Sequence, residues 1–374
     1  MNKITSTEDL KLLINSKSIN NVDLSEICLD GLNFADCTLQ NVIISREDQD
    51  DRCIRHVNFQ TTKFENVFFD HSVLEDCNFD GKETKVHRVS FKKCRFEKCR
   101  FRRTQFSWSD FRYAEINFGT FEEAHFLFCD FYRCFFIGII IFRKATFDRC
   151  SLYYSYFDEG AAIRKDNLAN NKILQQSKND YYKFLVDWPI HGPGLRKNDQ
   201  GNQSDWDPSV SLSARYADAE DIYKTLNGLW MSKGFLGDAN WAYVKGKRME
   251  RFRMQVDIFQ VKRIGLRLNL LLKICWNYVT DILFGYGESM FRMVATYFIT
   301  VFIFAFIYHS SSHTNLGGYL IALIVSLKNM VAMTPDDLQG VSPFLDFLNM
   351  VQTTIGILIT GIFGFILGNK IRNQ

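Results

Sequence analysis

The chain lacks the spacings by which most protein chemistry is recognised. It has ten cysteines in 374 residues, yet none stand as Cys-x-x-Cys and no Cys/His set has metal-ligand spacing, so neither a metal nor a cofactor is expected. There is no phosphate loop, no Gly-x-Ser-x-Gly elbow and no Cys/His couple, which sets enzymes aside. Residues 1 to 10 carry no secretory signal pattern, so the thiols are expected to stay reduced rather than form a disulfide framework. Charge of neither sign prevails: 45 Lys and Arg against 42 Asp and Glu leave a net +3, which alone argues neither for nucleic acid nor against it.

Over the first 160 residues the ordinary periodicities are missing too. In FKKCRFEKCRFRRTQFSWSDFRYAEINF, residues 91 to 118, an apolar residue returns every five positions, which fits neither the 3.6 of a helix nor the 2 of a strand. The same register holds at Leu24, Leu29, Phe34, Leu39 and Ile44, from Phe59 to Phe79, from Phe91 to Ile141, and at Phe147, Leu152 and Phe157. Insertions interrupt it at 45 to 57, at 80 to 90 and by one residue near Ile141. Two places before each large residue sits a smaller one, and seven cysteines hold that place: Cys37, Cys77, Cys94, Cys99, Cys129, Cys134 and Cys150. A narrow coil with both positions pointing inward needs this alternation, and there a thiol acts as a small core hydrophobe.

The pattern resembles the pentapeptide-repeat proteins over residues 20–159. The resemblance implies a right-handed quadrilateral β-helix with one pentapeptide per face. About six coils at strand spacing would make a rod roughly 30 Å tall, each coil buried only by its neighbours. Some members of that family are acidic mimics of DNA that bind gyrase. Here residues 20–80 hold thirteen acidic and four basic side chains, whereas 82–112 hold three and eleven. The basic belt of Lys92, Lys93, Arg95, Lys98, Arg100, Arg102 and Arg103 breaks any continuous acidic face, so DNA mimicry is disfavoured. The belt reads either as a solvated surface or as a docking surface for a cytoplasmic protein partner, a ligand or a neighbouring subunit.

After Phe157 the register stops. Residues 190–209 read as a long loop. From Ser213 two helical segments meet near Gly234 to Gly237, with Ala219, Ile222, Tyr223 and Leu226 facing Ala239, Trp241, Ala242 and Tyr243. They look like one tetratricopeptide-type hairpin. One hairpin makes no solenoid, so it reads as a connector or an oligomer contact. Basic residues follow at Lys245, Lys247, Arg248, Arg251, Arg253, Lys262, Arg263, Arg267 and Lys273, interleaved from Ile264 with Leu and Trp, as in an amphipathic helix lying on anionic membrane lipid.

Residues 290–308 and 344–368 are apolar runs long enough to span a bilayer. The basic residues flank the pair on one side, so both termini are expected in the cytoplasm, at a bacterial inner membrane. Between the runs, residues 317–343 hold a shorter apolar stretch and a polar turn, as in a pore loop with a re-entrant helix. Together with the Phe-Gly-Tyr-Gly-Glu-Ser stretch and the hairpin, this resembles the bacterial pentapeptide-repeat proteins that carry a C-terminal two-span, potassium-channel-like module of the ion-transport-2 type. That resemblance implies a homotetramer. In place of Thr-Val-Gly-Tyr-Gly stands Met333-Thr334-Pro335-Asp336-Asp337-Leu338-Gln339-Gly340, and Gly285 to Gly287 precede the first span, so potassium selectivity is not implied.

The expected chain is therefore a multidomain β + α membrane protein: a cap helix at 1–19, the β-helix at 20–159, a helical linker with the hairpin at 160–263, an interfacial helix at 264–289 and the pore-loop module at 290–374. Thr334, Asp336 and Asp337 are the candidate pore mouth for permeant cations, Ser326 and Asn329 lie on the candidate pore helix, and Gly356, Gly361, Gly364 and Gly368 serve a gate or close packing. The rival reading is a membrane-anchored scaffold for protein binding, with no conduction.

Overall fold

Backbone angles account for the period of five. Lys93, Lys98, Arg103, Trp108, Tyr113, Phe118, Glu123, Phe128 and Arg133 all have φ between +51° and +61°, a left-handed conformation that turns the chain sharply and costs energy in any residue but glycine. At every second corner a tight turn closes, as in Cys94 N–H to Phe91 O at 3.1 Å and Ala114 N–H to Phe111 O at 3.1 Å. Four corners return the chain to its starting side, so each coil lies in register on the one before. Gln105, Phe106 and Ser107 pair in parallel with Lys85, Val86 and His87 below and with His125, Phe126 and Leu127 above. Glu115 to Asn117 do the same between Arg95 to Glu97 and Phe135 to Ile137. Columns of single bridges, Ser90 to Asp110 to Asp130 to Ser151 and Asn78 to Arg100 to Thr120 to Ile141, make the other two sides.

The computed structural model describes residues 1–45, 54–193, 208–310, 318–333 and 343–372; they form two compact units, Met1–Arg253 and Met254–Gln374. In the first unit, paired strands beginning at Ser18, Thr38, Lys63, Lys85, Gln105, His125 and Thr146 mark about seven coils, one more than the repeat suggested. Phenylalanines fill them in columns. Phe79, Phe101 and Phe121 stack at centroid separations of 4.9 and 4.7 Å, Phe111 and Phe131 at 4.8 Å, and Phe106 and Phe126 at 4.7 Å. Such pairs add about 0.5–1.5 kcal/mol to the burial itself. The smaller inward residues tie each coil to the one before: Cys94 Sγ donates to Phe69 O at 2.9 Å, Cys99 Sγ to Leu74 O at 3.3 Å and Thr104 Oγ1 to Phe79 O at 2.5 Å. The thiols are thus buried donors as well as spacers. The register departs from expectation at Ile141, which is 43% exposed; the extra residue falls earlier, and Phe142 takes the inward place.

A stack of coils has two open ends, each a sheet edge that needs cover. Helix α1, Thr7–Asn15, is N-capped by Ser6 and lays Leu10 into the core at the first end. The other end is closed by Asn167, whose side chain donates to Phe142 O and Ala145 O at 2.7 and 2.8 Å, and by helices. Helix α2, Lys178–His191, lies along the side instead, packing Tyr181, Phe184, Leu185 and Trp188 around the corner residues Phe128 and Trp108. Helices α3, Pro208–Ser232, and α4, Leu236–Gln260, form the hairpin, turning at Gly234 with φ +71°. Its Ala219, Ile222, Tyr223, Leu226, Trp230, Ala239 and Ala242 belong to the same buried cluster as the coils, and Trp230 Nε1 donates to Ile163 O at 2.8 Å. The hairpin is therefore part of the coil's closure, not a bare connector, and Tyr243, expected on its inner face, is 41% exposed.

In the second unit, α5, Ile264–Val279, ends ten residues before the interfacial segment was expected to, and an elbow follows. Helices α6, Met290–Ser310, and α8, Pro343–Arg372, contain two segments long and apolar enough to cross a membrane; α7, Tyr319–Met330, is shorter and packs against both. Replacing Phe101 by Ala, which empties one place in a column, is expected to cost about 3–5 kcal/mol, read by circular dichroism as a lower urea midpoint of the full-length protein. Lys98→Ala, at an exposed corner, should stay within about 0.5 kcal/mol.

Candidate functional site

The apolar helices of the second unit hide a polar seam. Gln352 of α8 is fully buried, and an amide there must find partners within the chain. Its Nε2 donates to Ser326 O at 3.0 Å and to Ser326 Oγ at 2.6 Å, while its Oε1 accepts from Tyr308 Oη at 2.8 Å and Asn329 Nδ2 at 3.3 Å. Ser326 Oγ in turn donates to Val301 O at 2.8 Å, and Asn329 Nδ2 reaches Tyr308 Oη at 3.2 Å. Three helices are locked by one amide. Ser326 and Asn329 accordingly face the seam between α6 and α8, and the outward face of α7 shows Leu320, Ile321, Ile324 and Lys328.

One turn beyond Gln352 lies Gly356. A Cβ there would fall 2.8 Å from Met330 Cα and closer still to Met330 O, so glycine is what lets the end of α7 rest on α8. Gly361, Gly364 and Gly368 have no such neighbour; a Cβ at each would meet open space. Thr334, Asp336 and Asp337, the candidate pore mouth, lie outside the described residues.

The elbow between α5 and α6 is built from specific contacts. Thr280–Phe284 form one π-helical turn, and Gly285, Tyr286 and Gly287 follow at φ +54°, +57° and +85°. Arg292 Nη1 donates to Asp281 O at 2.6 Å and pairs with its carboxylate at 3.1 Å, Tyr286 Oη donates to Asn277 Oδ1 at 2.6 Å, and Thr296 Oγ1 donates to Leu283 O at 2.7 Å. Gly-Tyr-Gly here shapes a bend. Helix α5 leaves Ile264, Leu266, Leu268, Leu272 and Trp276 exposed beside Arg267 and Lys273. The basic run before it is not one surface, however: Arg251 is buried, Arg253 pairs with Glu220 at 2.9 Å, and Lys247 with Glu250 at 2.8 Å. Glu220, Lys247 and Glu250 line a cavity of about 270 Å³ beside Tyr223 and Gly246, together with Lys224, which pairs with Glu220 at 2.6 Å, so its charges are already engaged.

On the coil, the belt is mixed. Arg102 grips Asp80 through Nε and Nη2 at 3.0 and 2.8 Å, and Arg95 pairs with Glu97 at 2.7 Å. Lys93 and Arg103 sit at exposed corners, Arg100 is exposed on a bridge column and Lys92 is half-buried. Among the described residues no three His, Cys, Asp or Glu side chains converge as a metal site. Burial pushes the thiols of Cys94, Cys99, Cys134 and Cys150 well up, so they are poor ligands and poor nucleophiles.

The sequence reading missed Gln352 and Tyr308. A polar amide inside an apolar run is the signal that marks the first, since burial obliges it to bond; a tyrosine in such a run carries no comparable mark.

Residues 90–126 match the model of the family described as pentapeptide repeats, in eight copies. Solved structures that resemble the chain include the pentapeptide repeat protein Rfr23 from the cyanobacterium Cyanothece 51142, 10% identical, covering 41% of this chain and 97% of that one, with a TM-score of 0.18. Another is QnrB1, a plasmid-mediated fluoroquinolone resistance protein, 14% identical over 46% of this chain and 86% of that one, with a TM-score of 0.23. A third is HetL from Nostoc sp. strain PCC 7120, a pentapeptide repeat protein involved in heterocyst differentiation regulation, 10% identical over 44% and 94%, with a TM-score of 0.16. No curated protein resembles the chain closely enough to register as a relative.

Gln352→Ala leaves Tyr308, Ser326 and Asn329 short of partners and is expected to cost about 1–3 kcal/mol per group stranded, seen as a lower melting temperature in detergent. Gly356→Val should destabilise the same unit by forcing α7 off α8, whereas Gly361→Val, tested the same way on monomeric protein, should not.

Proposed function

We propose that the chain works as a membrane-embedded homo-oligomer, a homotetramer by resemblance, whose second unit forms a cation-preferring pore that is not potassium-selective and whose coil and hairpin regulate it. The observation that carries this reading is the arrangement of α6, α7 and α8. Two helices of spanning length bracket a helix of 12 residues, which at 1.5 Å per residue reaches only about 18 Å and packs against both. Two spans enclose no conduit alone, so conduction needs further copies. The open stripe of Gly361, Gly364 and Gly368 suits close approach of a neighbouring helix. Asp336 and Asp337, repeated around a ring, would give an acidic mouth for cations, and the flanking basic residues favour cytoplasmic termini at a bacterial inner membrane.

One observation favours the rival, a membrane-anchored scaffold. The polar groups of α7 turn into the seam, and its outward face is apolar apart from Lys328, a face suited to lipid as well as to a neighbouring subunit.

Planar-bilayer recording of the full-length protein in asymmetric KCl decides between them. A pore gives unitary currents that reverse toward the potassium equilibrium potential, and the double substitution Asp336→Asn with Asp337→Asn should move that reversal toward zero. Silence from oligomers shown intact by native mass spectrometry would favour the scaffold.

A further inference from the structure

One side of the coil buries acid beside its hydrocarbon. Ser90, Asp110, Asp130 and Ser151 rise up a single bridge column that starts at Phe68, each at most 7% exposed, and Ser90 Oγ donates to the buried Asp70. Near the top, two carboxylates share one guanidinium. Arg112 is committed to Asp110 through Nε at 2.9 and 3.0 Å and Nη2 at 2.6 Å, and stands 3.8 Å from Asp130 Oδ2. Asp130 is wholly buried; its Oδ1 accepts the Tyr132 N–H at 3.0 Å, its Oδ2 makes no hydrogen bond of ordinary length among the described residues, and the Ser151 hydroxyl faces the carboxylate. Two acids and one base leave a net negative charge out of water unless a proton settles there.

Helix α2 packs on Phe128, two residues before Asp130 in the chain. Tyr181 of α2 lies close enough to feel the charge of Asp130 and donates its hydroxyl to Asp218 of α3 at 3.3 Å. Asp218, 7% exposed, is faced also by Tyr153 of the coil and by Asp221 of α3, and Arg215 of α3 acts on Tyr181. Burial pushes Asp130 up to about 7 and Asp218 up to about 6, and it raises both tyrosines, which stay protonated donors. The grip of α2 also includes an apolar cluster around Phe128 and Trp108, Lys183 over the Phe128 ring at 5.6 Å, Arg88 bonds to Ile190 O and Gly192 O, and a long Arg149–Asp180 pair at 3.9 Å.

The geometry points to α2 being a proton-dependent latch: it is docked on the coil while the buried acids beneath it hold protons, and it lifts as they ionise. The sign follows from the direction of the shifts. An acid that titrates higher when buried than when free stabilises the docked state fully below its free value, and that stabilisation is lost as pH rises through its buried value. Docking is therefore strongest in acid and declines through about pH 6 and 7, by up to about tenfold in the docked-to-lifted ratio per titrating group per pH unit. A histidine near the other end of α2 acts in the opposite sense: His87, lowered by burial and by Arg88, is kept neutral in the docked state. Its protonation would loosen α2 as pH falls, so the direction of the response identifies the groups responsible.

Hydrogen–deuterium exchange of the full-length protein tests this, reading peptides across residues 178–191 from pH 5.5 to 8.5 after correction for intrinsic rates, with peptides across residues 105–127 as an internal reference. Opening of α2 should grow at least tenfold over the range while the reference stays protected. Asp130→Asn, isosteric and uncharged, should flatten the response; Asp218→Asn should remove part of it and serves as the readout if the first variant does not fold. A flat response in the native protein, a response of opposite sign, or full pH dependence in a folded Asp130→Asn or Asp218→Asn variant would overturn the latch.

Discussion

Ring upon ring, one coil apart, is the contact on which the first unit rests. A chain that turns a corner every five residues has no second layer to pack against, so Phe101 is buried between Phe79 below and Phe121 above, with Phe96 and Phe106 of its own coil beside it. That condition selects the rest. The partner position must be small, because one ring per side already fills the cross-section, and its polar atom must bond to the preceding coil, as Cys94 and Thr104 do. The corners must accept left-handed angles whatever residue occupies them, and bulky Trp108 and Phe118 do so because the coils on either side hold the backbone in place. The ends must be closed, because a terminal coil has a neighbour on one side only.

The repeat was legible because its constraint is local and recurs: a large residue at every fifth place and a small one two before it can be read without knowing what lies opposite. The closure of the coil was not, because Trp230 reaches one carbonyl 67 residues away and Asn167 two carbonyls 25 and 22 residues away, and nothing periodic announces them. The hairpin's inner residues were recognised as a helical face, but the partner of that face was the coil's own core. The same limit explains Ile141. An inserted residue is visible as a break in register, whereas which neighbour moves outward depends on where the turn absorbs it, here near Gly138 at φ +70°. In the second unit the two long apolar runs and the shorter one between them were plain from hydropathy, and Gln352, the residue that binds them together, was not, since its partners lie on two other helices.

Buried polarity is handled in two different ways. Around Gln352 the groups are neutral amides and hydroxyls, donors and acceptors nearly match, and Asn329 Oδ1 is left over in the seam. Such a network fixes how three helices register without responding to its surroundings. Along the bridge column the groups are carboxylates with too few cations, and their state depends on protons. The first arrangement gives a rigid joint and the second an adjustable one.

The extra residue near Gly138 lengthens one coil, yet Phe142 still stacks on Phe121 at 5.5 Å and Phe147 on Phe126 at 4.9 Å. The solenoid therefore counts corners, not residues, and its height is quantised. Changes within a corner leave the total height alone, while duplication or loss of a complete coil moves the hairpin along the axis by one strand spacing, about 4.8 Å. In evolution such a chain behaves as a ruler with fixed graduations, and its reach can change only in whole steps.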